Sequence, residues 1–560
     1  MLQEWIVTLH RKEDLQSFYD DMETPGGNLF IPDRAVELTN RRLISRNTHY
    51  MLTNDEVELL KSDDRVWDCD LAELIELTTH PHGYTITNGE FDKSWSDDAS
   101  DINWGLLRHS EEVNRSNWGA NGTSLITTDL TITASGKNVD VVIVDGHIDP
   151  AHPEFAVNSD GSGGSRINQF NWFSLTNAVT GGSNGTYTYD RSGSYTNSTD
   201  ANDNNHGCHC AGTVAGNSQG WARDATIYNI SPYSSNPSWG SGGLGNSTMW
   251  DYIRQWHNTK PINSETGRRN PTITNNSYGS SITSNYSGSY TTGKVTRVNY
   301  RGVDFNPGRD LTQAELQARG FYAPSSSLSM SIPNWFTSRN ADLDDAIDDG
   351  IILVFSAGNN YWKTVNSTDQ DYNNYYYMTY NGSNLLLRLH RGTGSGPAYS
   401  PTISVGATSN DTQEDKAPFS NCGNQVDIYA AGEAINSSVH AKSGDIADPR
   451  LSGYNFDKYQ GTSMSGPQVA GVLAILAESN QNMNQAEALE WLISNASTDQ
   501  MQDTGTDDPM DTNSLQGAPN KYLRWKNQRA LTGNTYPKNN LKARPASGIC
   551  YPRVRIRKRG

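Results

Sequence analysis

The sequence predicts an α/β fold with a mainly parallel sheet, and three apolar stretches carry this prediction. Residues 141–144 and 351–355 are short runs of β-branched and other apolar residues, and a polar residue follows each run. Continuous apolar runs of this length are typical of parallel strands that are buried on both faces. After Pro467, apolar positions recur at the i, i+3, i+4 and i+7 spacing of a buried helix: Val469, Val472, Leu473 and Leu476. Buried strands and a buried helix in one chain indicate a layered α/β core.

Length and charge set limits on the domains and the partners. The chain has 560 residues, of which 34% are hydrophobic, and its formal net charge is −18 at pH 7. This length exceeds that of a usual single domain, so more than one domain is expected. The acidic balance argues against nucleic acid as a partner, because phosphate binding needs concentrated Lys and Arg. No apolar run reaches the roughly 18 residues of a membrane helix, so no transmembrane segment is expected.

The first residues and the cysteines bear on the compartment, which the sequence does not identify. Residues 1–5 have neither the basic nor the apolar region of a signal peptide. The sequence therefore predicts a soluble protein that is intracellular or particle-associated rather than classically secreted. The cysteines are odd in number, and Cys208 and Cys210 stand too close for an easy disulfide. Free thiols are expected at all five positions: Cys69, Cys208, Cys210, Cys422 and Cys550.

Residues 1–80 are predicted to form a small α+β unit of the ferredoxin-like type. Its elements follow one another as strand, helix, strand, helix and strand: residues 5–10, 13–22, 43–52, 54–60 and a run from 65. This module hosts many functions, so it identifies none by itself. Residues 81–102 are rich in Gly, Asp, Ser and Thr and are expected to be a linker.

Ser463 is the candidate nucleophile. It precedes the predicted helix, so it is expected at the N-terminus of a buried helix. The free N–H groups and the positive dipole end there favour the oxyanion that forms when a serine attacks an acyl carbon. A serine that only caps a core helix is the alternative from this pattern alone. An esterase nucleophile elbow fits less well, because it needs Gly where Ser465 stands.

The stretch Gly-Thr-Ser-Met-Ser-Gly-Pro-Gln-Val-Ala-Gly at residues 461–471 resembles the serine segment of the subtilisin-like proteases, the subtilases. The resemblance covers roughly residues 103–497. It implies a three-layer domain with a mainly parallel sheet flanked by helices. It also implies an aspartate and a histidine earlier in the chain, in the order Asp, His, Ser.

Asp145 matches the family's aspartate. It ends an apolar run, and the sequence His-Pro-Glu-Phe at 152–155 supports the match. The family has Thr or Ser where Gly146 stands, and this departure removes a side-chain donor beside the carboxylate. A helix cap or a surface turn is the other interpretation of Asp145, and it is the preferred one for His147 and Asp149. Asp149 could ligate calcium, but a single carboxylate falls well short of a calcium coordination sphere.

His206 is the base that the resemblance implies. The sequence His-Gly-Cys-His-Cys-Ala-Gly from residue 206 is similar to the family's histidine segment, and it assigns His209 to a buried supporting position. Cys208 stands where the family has Thr, and Cys210 matches proteinase K-like members, in which it is not the nucleophile. Two alternatives stay open. One is a zinc site in this His and Cys cluster, and the other is a Cys-His protease that leaves Ser463 unexplained.

Asn359 and two glycine-containing segments complete the site that the resemblance implies. Asn359 would donate its amide to the developing negative charge together with the backbone N–H of Ser463, and a simple turn residue is the alternative. Two further segments resemble the edges between which a peptide adds as a strand. They are Ser241, Gly242 and Gly243, and Ser277, Tyr278 and Gly279. Ordinary glycine loops are the alternative for both.

The resemblance also implies a domain organisation: an inhibitory prodomain at 1–80, a linker with a processing site at 81–102, a catalytic domain at 103–500 and a polar tail at 501–560. Insertions are expected as surface loops near 160–200, 281–335 and 361–398, with a rim hairpin at 371–380 that contacts substrate as the alternative. The basic end of the tail could attach to a particle or a surface, and a disordered terminus is the alternative.

The function that the resemblance implies is that of a serine endopeptidase. It would hydrolyse protein or peptide substrates through an acyl-enzyme and would be made as a self-processing zymogen. The chemistry needs no cofactor and no metal, while structural calcium with unknown ligands is compatible with the family. The alternative is a binding or structural protein that keeps the fold without the activity. Gly146, His147, Cys208 and Gln468, which stands where the family commonly has His, favour that alternative.

Overall fold

The computed structural model describes most of the chain, with gaps between the described ranges. These ranges are residues 2–31, 36, 38–40, 47–71, 84–86, 103–110, 130–180, 205–230, 246–279, 281–285, 294–321, 329–333, 337–380, 383–392, 401–410, 414–439, 446–508 and 511–525. The chain divides into two compact units, Met1–Thr78 and Thr79–Gly560.

The described residues of the first unit form four strands and two helices: β1 (Gln3–Leu9), α1 (Leu15–Glu23), β2 (Leu38–Asn40), β3 (Asn47–Leu52), α2 (Asn54–Lys61) and β4 (Val66–Leu71). Its antiparallel sheet has the order β2-β3-β1-β4. The connectivity is βαββαβ, which has one strand, β2, more than the strand, helix, strand, helix and strand that the sequence predicted. Thr53 begins α2 with a capping box, in which its side chain accepts from Glu56 N and the Glu56 side chain accepts from Thr53 N.

The second unit contains twenty strands. They are β5 (Tyr84–Ile86), β6 (Leu130–Ile132), β7 (Asp140–Val144), β8 (Ile167–Asn168), β9 (Thr226–Ile230), β10 (Thr272–Asn276), β11 (Ser281–Asn285), β12 (Lys294–Tyr300), β13 (Val303–Phe305), β14 (Ser329–Pro333), β15 (Ile352–Ser356), β16 (Tyr375–Tyr380), β17 (Ser383–Arg388), β18 (Ile403–Thr408), β19 (Ile428–Ala431), β20 (Ile435–Val439), β21 (Ile446–Ala447), β22 (Asn455–Tyr459), β23 (Ser497–Thr498) and β24 (Lys521–Tyr522), all within the described ranges. Its described helices are α3 (Gly105–Arg108), α4 (Thr176–Thr180), α5 (His206–Ala215), α6 (Asn246–Thr259), α7 (Gln313–Gln317), α8 (Thr337–Asp348), α9 (Thr462–Ser479) and α10 (Gln485–Asn495).

A nine-stranded sheet is the centre of the second unit. Its order is β23-β24-β19-β18-β15-β10-β7-β9-β8. The pairings from β24 to β8 are parallel, and β23 pairs antiparallel with β24. The mainly parallel α/β fold predicted from the sequence is therefore confirmed.

Helices cover both faces of this sheet, because alternate side chains of its central strands point to opposite faces. On one face, Val141 and Val354 pack in a core with apolar residues of α5, α9 and α10. On the other face, Val144 and Phe355 pack with residues of α6 and α8. The result is a three-layer arrangement in which every residue of β7 and β15 is buried.

The predicted surface loops at 281–335 and 361–398 contain a second sheet, with the order β13-β12-β16-β17. Val298, Tyr376 and Met378 belong to its apolar core, together with Trp362. The loop prediction is wrong for these described strands. The hairpin alternative fits better, since β16 and β17 pair from Tyr375 opposite Arg388 to Tyr380 opposite Ser383. The low hydrophobic content of the surrounding sequence concealed these short strands.

The ordered fold continues past the boundary that was expected near residue 500. Tyr522 pairs with Tyr429 of β19 and is fully buried, and Leu523 N donates to Tyr429 O at 2.8 Å. Residues 526–560, with the basic end, lie outside the described ranges. Four cysteines in the described part of the chain are buried free thiols: Cys69, Cys208, Cys210 and Cys422. Among the described residues, no helix has the length and apolar composition needed to cross a bilayer.

Candidate active site

Neighbouring strands of the parallel sheet bring the candidate residues to one edge. Asp145 directly follows β7, Ser277 directly follows β10, and Asn359 comes three residues after β15. These strands are adjacent in the order β15-β10-β7, so their carboxyl ends meet at the same edge. Binding and catalytic residues of parallel α/β folds are commonly found at this edge.

Asp145 and His206 are directly hydrogen-bonded. His206 Nδ1 lies 2.8 Å from Asp145 Oδ1 and 3.0 Å from Oδ2. The Asp145 side chain is 1% exposed, whereas a quarter of the His206 side chain is exposed. Gly146 lacks the side-chain donor of the Thr or Ser that the family has at this position. The carboxylate still has a backbone donor, because Gly146 N donates to Asp145 Oδ1 at 2.7 Å. Asn229 supports this loop by donating to Gly146 O at 3.0 Å.

The carboxylate changes the titration of the imidazole. Burial lowers the pKa of His206, but the attraction of the Asp145 carboxylate outweighs burial and holds the pKa well above its ordinary value. The same hydrogen bond selects the tautomer that carries its proton on Nδ1, because a carboxylate only accepts. In neutral His206, Nε2 is then the basic nitrogen.

Ser463 is the second residue of α9, as the sequence predicted. Its exposed fraction is 9%. In this structure the Ser463 hydroxyl donates to Ser277 O at 3.2 Å rather than to His206. Helices α5 and α9 pack closely at Gly471. A Cβ added at this glycine would lie only 2.7 Å from Trp221 Cβ and 2.9 Å from Val214 O. This close approach places the His206 and Ser463 helices side by side.

The backbone carbonyl of Ser463 accepts from two side chains of neighbouring elements. Ser277 Oγ donates to it at 3.1 Å, and Cys210 Sγ donates at 3.3 Å. Asn275 Nδ2 in turn donates to Ser277 Oγ at 3.0 Å. Ser463 and Ser277 are thus joined by two reciprocal hydrogen bonds. Sequence reasoning assigned Ser277 to the substrate edge and missed this contact.

Asn359 lies beside the start of α9. Its Oδ1 accepts from Thr462 N at 2.8 Å and from Thr462 Oγ1 at 2.7 Å. Because a backbone N–H only donates, these bonds fix Oδ1 and leave Nδ2 as the free donor. A Cβ at Gly461 would lie 3.2 Å from Asn359 Nδ2 and 3.6 Å from Ser463 N. The missing side chain of Gly461 therefore leaves open the space beside both N–H donors.

The His and Cys cluster brings three ligand types together. Among the described residues, ligand atoms of Asp145, His206 and Cys210 lie within 4.8 Å of one another. Asp145 Oδ1 and Cys210 Sγ both lie close to His206 Nδ1, the thiol at 3.8 Å. Burial raises the pKa of the Cys210 thiol, which keeps it protonated and able to donate to Ser463 O. This state favours a role for Cys210 as a hydrogen-bond donor over thiolate ligation or nucleophilic attack.

His209 and Cys208 are fully buried beside the site. His209 Nε2 donates to Ile435 O at 2.9 Å and to Asp457 O at 3.1 Å, and its ring stacks on Tyr459 with centroids 4.5 Å apart. Burial lowers the pKa of His209 to about 3, so its imidazole is neutral. These contacts match the supporting position that was expected for His209.

Gln468 joins the helix that contains Ser463 to Asn103, which lies shortly before α3. Its Oε1 accepts from Trp221 Nε1 at 2.7 Å and from Asn103 Nδ2 at 3.2 Å, while its Nε2 donates to Asn103 Oδ1 at 2.7 Å. Asn103 N also donates to Gln219 Oε1 at 2.7 Å. The two amides and the indole thus satisfy one another in a fully buried cluster. Gln468 departs from the family pattern but has a defined structural place.

The remaining predicted residues are placed as follows. Ser277 and Tyr278 are buried after β10, and Gly279 is exposed. Ser241, Gly242 and Gly243 lie outside the described residues. Asp149 has the turn geometry expected of it, because its Oδ1 accepts from Ala151 N at 3.0 Å, but it is buried rather than at the surface, and burial raises its pKa.

Glu154 of the His-Pro-Glu-Phe segment is a fully buried carboxylate whose oxygens are already engaged. They accept from Ser218 Oγ at 2.6 Å, Gln219 N at 2.9 Å and Arg450 Nη2 at 2.6 Å. Burial raises the pKa of Glu154, but Arg450 and the other donors outweigh it and bring the pKa to about 2. This carboxylate is saturated by protein donors, which does not fit a calcium ligand.

A three-layer α/β fold with an aspartate, a histidine and a serine at the carboxyl edge of its sheet defines the structural class. Comparison with known proteins adds the family: the model of the Subtilase family matches residues 136–518. Because this match covers well over half of the chain, the chain belongs to the subtilase family. The resemblance seen in the sequence is confirmed.

Individual relatives are distant. Subtilisin amylosacchariticus of Bacillus subtilis subsp. amylosacchariticus is 26% identical over 170 residues, which are 30% of this chain and 35% of that protein. The chain thus spans about a third of the length of the subtilisins it matches in this segment. A cuticle-degrading serine protease of Arthrobotrys oligospora is 23% identical over 458 residues, 81% of this chain and 75% of that protein. The crystal structure of a cold adapted subtilisin-like serine proteinase has a TM-score of 0.40 at 19% identity, covering 75% of this chain and 97% of that one.

Proposed function

We propose that this chain is a serine endopeptidase that cleaves protein or peptide substrates through an acyl-enzyme on Ser463. The observation that carries the proposal is the hydrogen bond between Asp145 and His206 next to the N-terminus of the Ser463 helix. Membership of the subtilase family supports it. No cofactor is needed for this chemistry, and structural calcium would be bound outside the triad by ligands that the sequence does not identify.

His206 acts as the general base. Its Nδ1–H is held by Asp145, so Nε2 is available to accept a proton. The Ser463 hydroxyl first leaves the Ser277 carbonyl, to which it now donates, and turns toward this nitrogen. Hydrogen bonds of this kind commonly tighten only when substrate is bound. Ser463 Oγ then attacks the scissile carbonyl carbon, and its proton passes to His206.

Asn359 and the Ser463 backbone amide stabilise the resulting oxyanion. Asn359 Nδ2 and Ser463 N both lie beside the space left by Gly461, where the carbonyl oxygen of the substrate would enter. His206 next gives its proton to the leaving amine, and the C–N bond breaks. Water hydrolyses the acyl-enzyme by the reverse sequence of proton transfers and restores the Ser463 hydroxyl.

The substrate adds as an extended strand between two edges of the chain. Ser277, Tyr278 and Gly279 provide one edge, directly after β10, and Ser241, Gly242 and Gly243 provide the other. The unit at residues 1–80 acts as the chain's own inhibitory prodomain, with the processing site at 81–102. The basic end of the 501–560 segment attaches the protein to a particle or an acidic surface.

A fluorophosphonate label on the purified full-length chain tests the proposal. We expect covalent labelling of the wild type at Ser463, and loss of both labelling and casein cleavage in Ser463→Ala. Ser465→Ala is the control, since Ser465 is a buried serine of the same helix turn that donates to Thr462 O at 3.0 Å. It should be labelled like the wild type. An unlabelled wild type, or casein cleavage by Ser463→Ala, would instead support a binding protein that keeps only the fold.

A further inference from the structure

Asn421 holds the loop that carries Asn359 through hydrogen bonds to the residues on either side of Asn359. Its Oδ1 accepts from Asn360 N at 3.1 Å and from Trp362 N at 2.8 Å. Its Nδ2 donates to Ala357 O at 2.7 Å. Its backbone N donates to Gly358 O at 2.8 Å. The four hydrogen bonds lie on both sides of Asn359 in the sequence, and Asn421 is fully buried.

This loop needs support from outside, because its backbone departs from regular structure. Gly358 has φ = 102° and Tyr361 has φ = 62°. A residue with a side chain, such as Tyr361, adopts the left-handed region only when its surroundings impose it. The segment 419–422 supplies those surroundings, since Tyr361 N donates to Phe419 O at 3.1 Å and Cys422 N donates to Trp362 O at 2.9 Å.

The orientation of the Asn359 side-chain amide depends on the contact between residues 357–362 and the start of α9. Gly358 N donates to Thr462 Oγ1 at 3.0 Å, and the same hydroxyl donates to Asn359 Oδ1. A shift of residues 357–362 would therefore move Asn359 Nδ2 away from Ser463 N. Hydrogen-bond stabilisation of a developing charge depends steeply on such placement.

We propose that Asn421 is a positioning residue that sets the oxyanion donor Asn359. This inference rests on the proposed function, because it assigns Asn421 a share in stabilising the oxyanion. Asn421 acts only through the loop, so its contribution appears in the transition state and not in the binding of the substrate ground state. The Phe-Ser-Asn sequence at 419–421 is similar to the subtilase pattern, but sequence reasoning assigned this asparagine no role.

Steady-state kinetics on a peptide substrate test the inference with Asn421→Ala in the full chain. We expect kcat to fall about 10- to 100-fold while KM stays within about threefold. The matched control is Asn217→Ala. Asn217 is a buried asparagine whose Nδ2 donates to three backbone carbonyls of another loop, those of Pro153, Ala156 and Asn158. The control should keep the wild-type kcat.

A double-mutant cycle separates positioning from general damage. If Asn421 acts through Asn359, then Asn421→Ala should cost less than about threefold when Asn359 has already been replaced by alanine. Independent, multiplicative losses, or a rise in KM at unchanged kcat, would overturn the inference. Asn421→Asp keeps the size of the side chain and replaces the donor to Ala357 O by a carboxyl oxygen that repels this carbonyl when it is ionised, so it repeats the test if the Asn421→Ala variant does not fold.

The outcomes distinguish this inference from the proposed function. If the wild type neither reacts with a fluorophosphonate nor cleaves peptides, the proposed function fails. If the wild type is active and Asn421→Ala is equally active, only the inference fails. If neither Asn421 variant folds, as judged by circular dichroism, the residue is needed for folding and the positioning role is rejected.

Discussion

Pro467 lies four residues after Ser463 in the same helix, so the backbone N–H that would donate to the Ser463 carbonyl in a regular α-helix is missing. That carbonyl accepts instead from Ser277 Oγ at 3.1 Å and Cys210 Sγ at 3.3 Å. The proline thus frees a carbonyl that the segment after β10 and the His206 helix both reach. The backbone of Ser463 is thus held by contacts from two neighbouring elements in addition to its own helix.

Ser277→Ala should therefore lower kcat/KM about two- to tenfold, because a hydrogen bond of this kind contributes about 0.5–1.5 kcal/mol. Ser277→Thr should recover most of the loss, since it restores the hydroxyl. Initial rates on a peptide substrate measure both. Ser465→Ala is the matched control, because it removes a buried hydroxyl from the same helix turn. Equal losses in Ser277→Ala and Ser465→Ala would show that the Ser463 carbonyl has no special role.

Asn359→Ala should lower kcat about a hundred- to a thousandfold, because removal of one oxyanion donor costs about 3 to 4 kcal/mol of transition-state stabilisation. KM should stay within a few-fold, since the donor acts on charge that develops only in the transition state. Steady-state kinetics with a peptide substrate provide both constants. A roughly tenfold rise in KM at unchanged kcat would show that Asn359 binds substrate instead.

The pH dependence of activity should report the Asp145–His206 pair. Catalysis needs neutral His206, and its pKa lies above the ordinary value of 6.5. Activity should thus be present above that pKa and be lost as pH falls through it. In Asp145→Asn the midpoint should move to lower pH, and the plateau rate should fall about ten-thousandfold. The pH profile of kcat/KM measures both effects, with Asp149→Asn as a control that keeps the wild-type midpoint. An unmoved midpoint in Asp145→Asn would contradict the assignment of the carboxylate.

The chain should cut itself between about Thr85 and Asn103. A prodomain whose end enters the site would make the first acyl transfer intramolecular and raise the effective concentration of the scissile bond. Purified wild type should run as two fragments, with Edman sequencing placing the new N-terminus in this window, while Ser463→Ala should stay whole. A wild type that stays intact although a fluorophosphonate labels Ser463 would make residues 1–80 a permanent domain.

Gln468→Ala should lower the free energy of unfolding by about 1–3 kcal/mol, because the buried Trp221 indole N–H loses its partner and the Asn103 side chain keeps only its hydrogen bonds to Gln219 O and from Gly105 N. Urea unfolding in the Ser463→Ala background, which prevents self-digestion, measures the change. The exposed Gln500→Ala, whose side chain only caps Thr498 O, should stay within about 0.5 kcal/mol of the parent. A loss below about 1 kcal/mol would mean that the indole and the amide find new partners once the Gln468 side chain is gone.

The fold, and the position of Asp145 and Ser463 at the ends of their elements, were accessible from the sequence for a local reason. The apolar runs of β7 and β15 and the helical spacing after Pro467 are visible within about ten residues each. The roles of Ser277 and Asn421 were not accessible, because their partners lie 186 and about 60 residues away. The second sheet was missed because its short strands sit in polar sequence, where periodicity is weak.

The last strand of the main sheet has a consequence for the order of events during synthesis. Trp525 N donates to His109 O at 2.6 Å, and Arg108 lies over the Tyr522 ring at 4.3 Å. These two segments are more than 400 residues apart in the sequence, so they meet only after the chain has been made up to residue 525. Contacts so far apart in the sequence form late. Most of the second unit would have left the ribosome before the helix that contains Ser463 gained all of its packing partners, which include Leu523 and Trp525. If Ser463 acts as proposed, the nascent chain would be protected from its own active site until residues 521–525 have been made.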